Sequence, residues 1–68
     1  MKVTVNGAAR RLDAGTTVAT LVAAETTERM KRHTAVARNG EIVPRSAWPR
    51  TPLDDGDRVE LVTAVQGG

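Results

Sequence analysis

Two Asn-Gly pairs, Asn6-Gly7 and Asn39-Gly40, constrain this chain more than any other feature of its sequence. A two-residue type I′ turn needs positive φ at both central positions, and its twist matches that of the two antiparallel strands it joins. Val3 and Val5 alternate with Lys2 and Thr4 before the first pair, so a strand with one buried face runs into a hairpin. The return strand is expected over about Ala8 to Leu12. Thr34 to Arg38 and Glu41-Ile42-Val43 flank the second pair, and Pro44 stops the latter strand because it cannot donate to a ladder.

Between the hairpins, Asp13-Ala14-Gly15 breaks the strand pattern, and Thr16 or Thr17 offers an N-cap. Val18, Leu21 and Val22 follow at i, i+3 and i+4, which is one apolar stripe on a short helix. Glu25 occupies the next stripe position and is expected to end it. Thr26 to His33 reads as a loop, or as an extra helical turn with Met30 tucked inward. Ser46-Ala47-Trp48 reads as one 3₁₀ turn before an irregular stretch imposed by Pro49 and Pro52. Asp54-Asp55-Gly56-Asp57 is then a turn, and Arg58 to Val62 the last strand. Val59 and Leu61 point to one face of it, and Arg58, Glu60 and Val62 to the other.

A chain of 68 residues is one small domain, able to bury only roughly 60% of its unfolded surface. Its single helix must therefore cover one face of a single sheet. Pairing the first and last strands in parallel at the centre, with each hairpin adding an outer strand, gives an α+β fold. It is a ubiquitin-like β-grasp: a mixed sheet of four to five strands with one main helix packed on one face. Residues 1–63 are expected to form that domain, and residues 64–68 a flexible C-terminal Gly-Gly tail leaving a central strand.

Composition narrows the function. There is no cysteine, which excludes a disulfide, a thiolate metal site and a persulfide carried on the chain's own thiol. The net charge is only +2, and Trp48 is the sole aromatic residue, so nucleic-acid binding through a basic face with stacking platforms is not expected. The basic cluster Arg29, Lys31, Arg32 and His33 is read as solvated surface, and His33 lacks the companions a metal site needs. Asp54, Asp55 and Asp57 lack the spacing of a calcium loop and are read as turn-formers. No stretch reaches the ~20 apolar residues of a membrane helix, and the N-terminus goes straight into strand alternation. A cytoplasmic protein with no membrane partner is the expectation. A deep catalytic pocket does not fit this size, so the chain is not expected to be an enzyme, nor to bind a cofactor itself.

The end of the chain is Val62-Thr63-Ala64-Val65-Gln66-Gly67-Gly68. Two terminal glycines arise by chance in roughly one chain in 200, so their weight comes from their position just after a central strand. Without Cβ atoms they pass a narrow channel that larger residues block, which suits them to carry a carboxylate into another protein's active site. A carboxylate becomes electrophilic once AMP is transferred to it from ATP, and the acyl-adenylate must then be shielded from water. Attack by sulfur yields a thiocarboxylate. With no thiol in the chain, the terminus is the one group able to carry sulfur.

The chain resembles the ThiS/MoaD family of sulfur carriers, and within it the thiamine-biosynthesis branch. The resemblance rests on Val3 and Val5 before Asn6-Gly7, Gly15-Thr16-Thr17-Val18, Asn39, Val43-Pro44-Arg45, Trp48, Asp55-Gly56-Asp57-Arg58-Val59-Glu60 and the whole end from Val62 to Gly68. It covers essentially the full length, and the Asn-x-x-x-Val-Pro-Arg-x-x-Trp run is more specific than Gly-Gly alone. The resemblance implies adenylation of Gly68 by an ATP-using E1-like adenylyltransferase of the ThiF/MoeB type. It implies sulfur from a donor such as a cysteine desulfurase, and delivery to a thiazole synthase of the ThiG type. One departure is Arg38, where members usually place an aliphatic residue; it bears on local strand packing and one contact surface, and leaves the tail untouched.

Gly67 and Gly68 are thus the expected working end, with Val62, Val65, Gln66 and Arg45 as partner-docking candidates. Val62 shares the parity of Arg58 and Glu60, which puts an aliphatic side chain on the open face of the sheet. Arg45 either contacts a partner or forms a local salt bridge. Trp48 is read as core. Three alternatives remain. A molybdopterin-synthase small subunit would co-purify with the large subunit, and a ubiquitin-like modifier would form adducts through Gly68. A basic nucleic-acid-binding domain would bind in a salt-sensitive way without Gly67-Gly68.

Overall fold

The computed structural model describes residues 1–64. Strand β1 (Lys2–Val5) turns through Asn6 (φ 50°) and Gly7 (φ 83°) into β2 (Ala8–Arg11), one residue shorter than expected. Helix α1 (Val18–Glu25) is followed by a single helical turn, α2 (Glu28–Lys31). Strand β3 (Thr34–Arg38) turns through Asn39 (φ 51°) and Gly40 (φ 84°) into β4 (Glu41–Ile42). A 3₁₀ helix over Arg45–Arg50 precedes the last strand, β5 (Arg58–Thr63). Both Asn-Gly pairs adopt the double positive φ that a type I′ turn demands.

The sheet order is β2-β1-β5-β3-β4, with β1 and β5 parallel at its centre and every other pair antiparallel. Thr17 caps α1 by accepting the Thr20 amide at 3.2 Å. The helix ends after Glu25, where Thr26 turns extended and its hydroxyl donates to the Val22 carbonyl at 2.7 Å, while Glu25 forms a bidentate ion pair with Arg10 of β2, 2.9 Å at Nη1. An eight-residue helix is marginal in isolation, so α1 exists because of what it covers. Its stripe Val18, Leu21 and Val22 is 0–2% exposed and packs with Val3, Val5, Val36, Trp48, Leu53 and Val59.

Trp48 is 3% exposed, and its indole N–H donates to the Val43 carbonyl at 3.0 Å. The tryptophan plugs the end of the core that so short a helix leaves open. The amide of Val18 donates to the Thr51 carbonyl and that of Leu53 to the Thr16 carbonyl, each at 2.9 Å, fastening the start of α1 to the segment after the 3₁₀ helix.

Candidate functional site

Everything that positions the chain's end depends on β5. On one side β5 pairs with β3 from Arg38↔Val59 to Thr34↔Thr63; on the other, β1 reaches only as far as Val5↔Val59. The Asn6 side chain then extends that second ladder. Its Oδ1 accepts the Leu61 amide at 2.8 Å and its Nδ2 donates to the Leu61 carbonyl at 3.2 Å. On the other flank, Asn39 Oδ1 accepts the Arg58 amide at 2.9 Å. Each Asn-Gly turn thus also grips the central strand with its side-chain amide, which turn chemistry alone did not reveal.

At the far end of β5, the Thr34 and Thr63 hydroxyls meet at 2.9 Å, and the Ala64 amide donates to the His33 carbonyl at 2.9 Å. The root of the C-terminal segment is therefore hydrogen-bonded into the domain up to Ala64. Val65, Gln66, Gly67 and Gly68 lie outside the described residues, as does all of the expected tail beyond Ala64.

Val62, just before this root, is 66% exposed on the face away from α1, as its parity predicts. It is not alone. Ala35 is its cross-strand partner on β3, Ala37 lies two residues along, and Ile42 of β4, opposite Ala37, is 72% exposed. Val62, Ala35, Ala37 and Ile42 form one apolar strip across three strands, leading to the root of the tail. The sequence carried a signal for Ile42. A two-residue turn at Asn39-Gly40 dictates Arg38↔Glu41 and hence Ala37↔Ile42.

Arg45 forms no salt bridge among the described residues. Its guanidinium donates to the Lys31 carbonyl at 2.7 Å and the Thr34 carbonyl at 3.3 Å, and lies 4.5 Å from the centre of the Trp48 ring. It ties α2 and the start of β3 to the 3₁₀ helix, next to the tail root, with a cation–π contact as support. Of the two readings of Thr26 to His33, the extra helical turn is the one present, but without Met30 tucked inward: α2 is a single turn pinned through its backbone, and Met30 is 41% exposed.

At the opposite end of β5, Arg38 is satisfied rather than disruptive. Its Nε donates to Asp57 at 2.8 Å and its Nη2 to Asp54 at 3.0 Å. Asp57 is more than a turn-former. It is 6% exposed and also accepts the Asp54 amide at 2.8 Å and Asn39 Nδ2 at 3.0 Å. Burial by itself raises the Asp57 carboxyl. The Asp54 amide, Asn39 and Arg38 together outweigh it and hold the group below its ordinary range. Among the described residues no group of three His, Cys, Asp or Glu side chains is placed to hold a metal ion, and no helix is long and apolar enough to cross a membrane.

The fold with a central last strand, the rooted C-terminal segment and the apolar strip beside it match the family resemblance in the sequence. A model of the ThiS family matches residues 3–68. The chain belongs to the ThiS family. It is 34% identical over 68 residues to the sulfur carrier protein ThiS of Escherichia coli, spanning the whole of both chains. It is 38% identical over 68 residues to a thiazole synthase of Paramagnetospirillum magneticum, of whose length it spans only 20%. The crystal structure of the thiamine biosynthesis protein ThiS from Geobacter metallireducens superimposes with a TM-score of 0.80 at 33% identity, covering 100% of each chain. The solution structure of a thiamine biosynthesis protein from the same organism gives 0.79 at 33% identity, covering 100% of this chain and 88% of that one. ThiS membership makes this chain a small sulfur carrier of thiamine biosynthesis with a β-grasp fold.

Proposed function

We propose that the Gly68 carboxylate is the group that carries the sulfur. In the first step a carboxylate oxygen attacks the α-phosphorus of ATP on an E1-like adenylyltransferase, and pyrophosphate leaves. The persulfide of a donor such as a cysteine desulfurase then attacks the acyl carbon and expels AMP, and a thiol cleaves the resulting acyl disulfide, leaving as a mixed disulfide with the donor. The product is a thiocarboxylate. The chain contributes no cofactor of its own and acts in the cytoplasm, where ATP and the activating enzyme are found.

The observation that carries this reading is the anchoring of the chain up to Ala64, four residues before Gly68. With the root held at Ala64, the carboxylate lies within four residues' reach of it, so docking the domain brings the carboxylate near its target. The family match reaches residue 68 and the Escherichia coli carrier aligns over its full length, which supports Gly68 as the working residue. The strip of Val62, Ala35, Ala37 and Ile42 is the surface we assign to docking on the activating enzyme. Val65 and Gln66 follow the domain into the partner's channel. Arg45 acts at the rim, holding the segment around the tail root in place.

Thiazole synthase is the proposed acceptor. The relative from Paramagnetospirillum magneticum aligns with this whole chain within a protein about five times as long, a direct precedent for keeping the two functions together. The decisive experiment is ATP–pyrophosphate exchange with the activating enzyme of the same cell. Exchange with the full chain and none after deletion of Gly67-Gly68 is the expected result. Equal exchange with the shortened chain refutes the assignment.

A further inference from the structure

The cluster Arg29-Met30-Lys31-Arg32-His33, unremarkable as sequence, lies against the root of the tail in the structure. The Ala64 amide is bonded to the His33 carbonyl, and the Lys31 carbonyl is held by Arg45, so Arg32 sits between two anchored residues. The Thr34 hydroxyl fastens the Met30 carbonyl at 2.8 Å, and Thr27 caps the turn. This is a fixed platform. Arg29 and Arg32, three apart, are neighbours on its surface.

What sets these arginines apart from Arg11, Arg50 and Arg58, equally unpaired among the described residues, is their place beside the tail root. Lys31 has Glu28 at 3.8 Å, but neither Arg29 nor Arg32 has a carboxylate partner among the described residues, although the domain pairs Arg10 and Arg38 internally. Met30, next to Arg29 in sequence, is also exposed. The two arginines thus form a positive patch on the flank of the tail root.

We propose that Arg29 and Arg32 dock on an acidic surface at the mouth of the activating enzyme's tail channel, and that this second contact fixes the rotation of the domain about the tail. The apolar strip lies on the outer face of the sheet, whereas this platform borders the root beside the β3–β5 pair. Two contacts on different sides of the tail define an orientation, which one patch does not. A nucleic acid fits less well: the patch has no aromatic residue, and the one tryptophan is buried. Paired charges of this kind act mainly on encounter rate and on salt dependence.

The proposal rests on the carrier reading, and its test separates the two. Adenylation by the activating enzyme is measured as KM and kcat at about 0.02 and about 0.5 M ionic strength, for the wild type, the double variant Arg29→Glu/Arg32→Glu and the conservative pair Arg29→Lys/Arg32→Lys. At low salt the Glu pair is expected to raise KM about tenfold or more with kcat unchanged and to abolish the salt dependence; the Lys pair stays close to wild type. Arg11→Glu, on the far edge strand, leaves KM as it was. Circular dichroism melts establish that each variant is folded. Efficient adenylation of the Glu pair with wild-type KM and salt response overturns the docking proposal and leaves the carrier reading standing. Failure of the wild type to be adenylated at all overturns the carrier reading itself.

Discussion

The residues that most repay attention are Asn6, Asn39 and Asp57. Each asparagine occupies a positive-φ turn position and also bonds the backbone of β5, so replacing either removes turn preference and ladder together. Asp57 joins three donors from two separated parts of the chain. Asp57→Asn keeps the shape but sets an amide against the Arg38 guanidinium, and is expected to cost about 2 kcal/mol at neutral pH. The sign with pH follows from the lowered folded value. The carboxylate's contribution is complete above the unfolded value of about 3.9 and is lost as pH falls through the lower folded one. Urea melts across pH should therefore show a constant gap between wild type and variant above about pH 5 that narrows below about pH 4. A gap that widens on acidification contradicts this account of Asp57.

At the scale of elements, stability rests on a short helix and a single tryptophan. A 68-residue domain has about 3–10 kcal/mol in hand, and Trp48→Ala is expected to remove about 3–5 kcal/mol of it through an uncollapsed cavity. The variant should be at the edge of unfolding by circular dichroism. A loss below about 1 kcal/mol would show that the 3₁₀ helix does not close the core. Val62→Glu is the opposite case. Its side chain is exposed, so stability should move by less than about 1 kcal/mol, while KM for adenylation rises about tenfold as the apolar strip is broken. An unchanged KM would take Val62 out of the docking surface.

Most elements were legible because their signals are local: alternation at Val3 and Val5, the Asn-Gly turns, the stripe of Val18, Leu21 and Val22. What was not legible is made by contacts across the fold. Arg38 looked like a fault in a strand until the turn before β5 brought Asp54 and Asp57 to it. Thr26 to His33 was open between a loop and a helical turn with Met30 inward, because nothing in the sequence tells that Thr34 and Arg45 fasten the turn through its backbone and leave Met30 exposed. Of the proposed docking strip, parity gave the exposed placement of Val62, and the register of the second hairpin carries that of Ile42. The meeting of the basic cluster with the tail root depends on the pairing of β3 with β5.

At the scale of the whole molecule, the sheet builds a rigid base for the last strand. Parallel pairing of β1 and β5 puts the last strand at the centre of the sheet, where β3 and two asparagine side chains hold it. On the proposed reading the working group is the carboxylate at the end of a short segment, and partners supply the chemistry. Intact-mass spectrometry after incubation with ATP, sulfide and the activating enzyme tests this most directly. One oxygen should be replaced by sulfur, fragmentation should place the change on Gly68, and a chain lacking Gly67-Gly68 should fold alike and stay unmodified. An unchanged mass, with the same enzyme active on another carrier, would contradict the assignment of sulfur to the Gly68 carboxylate.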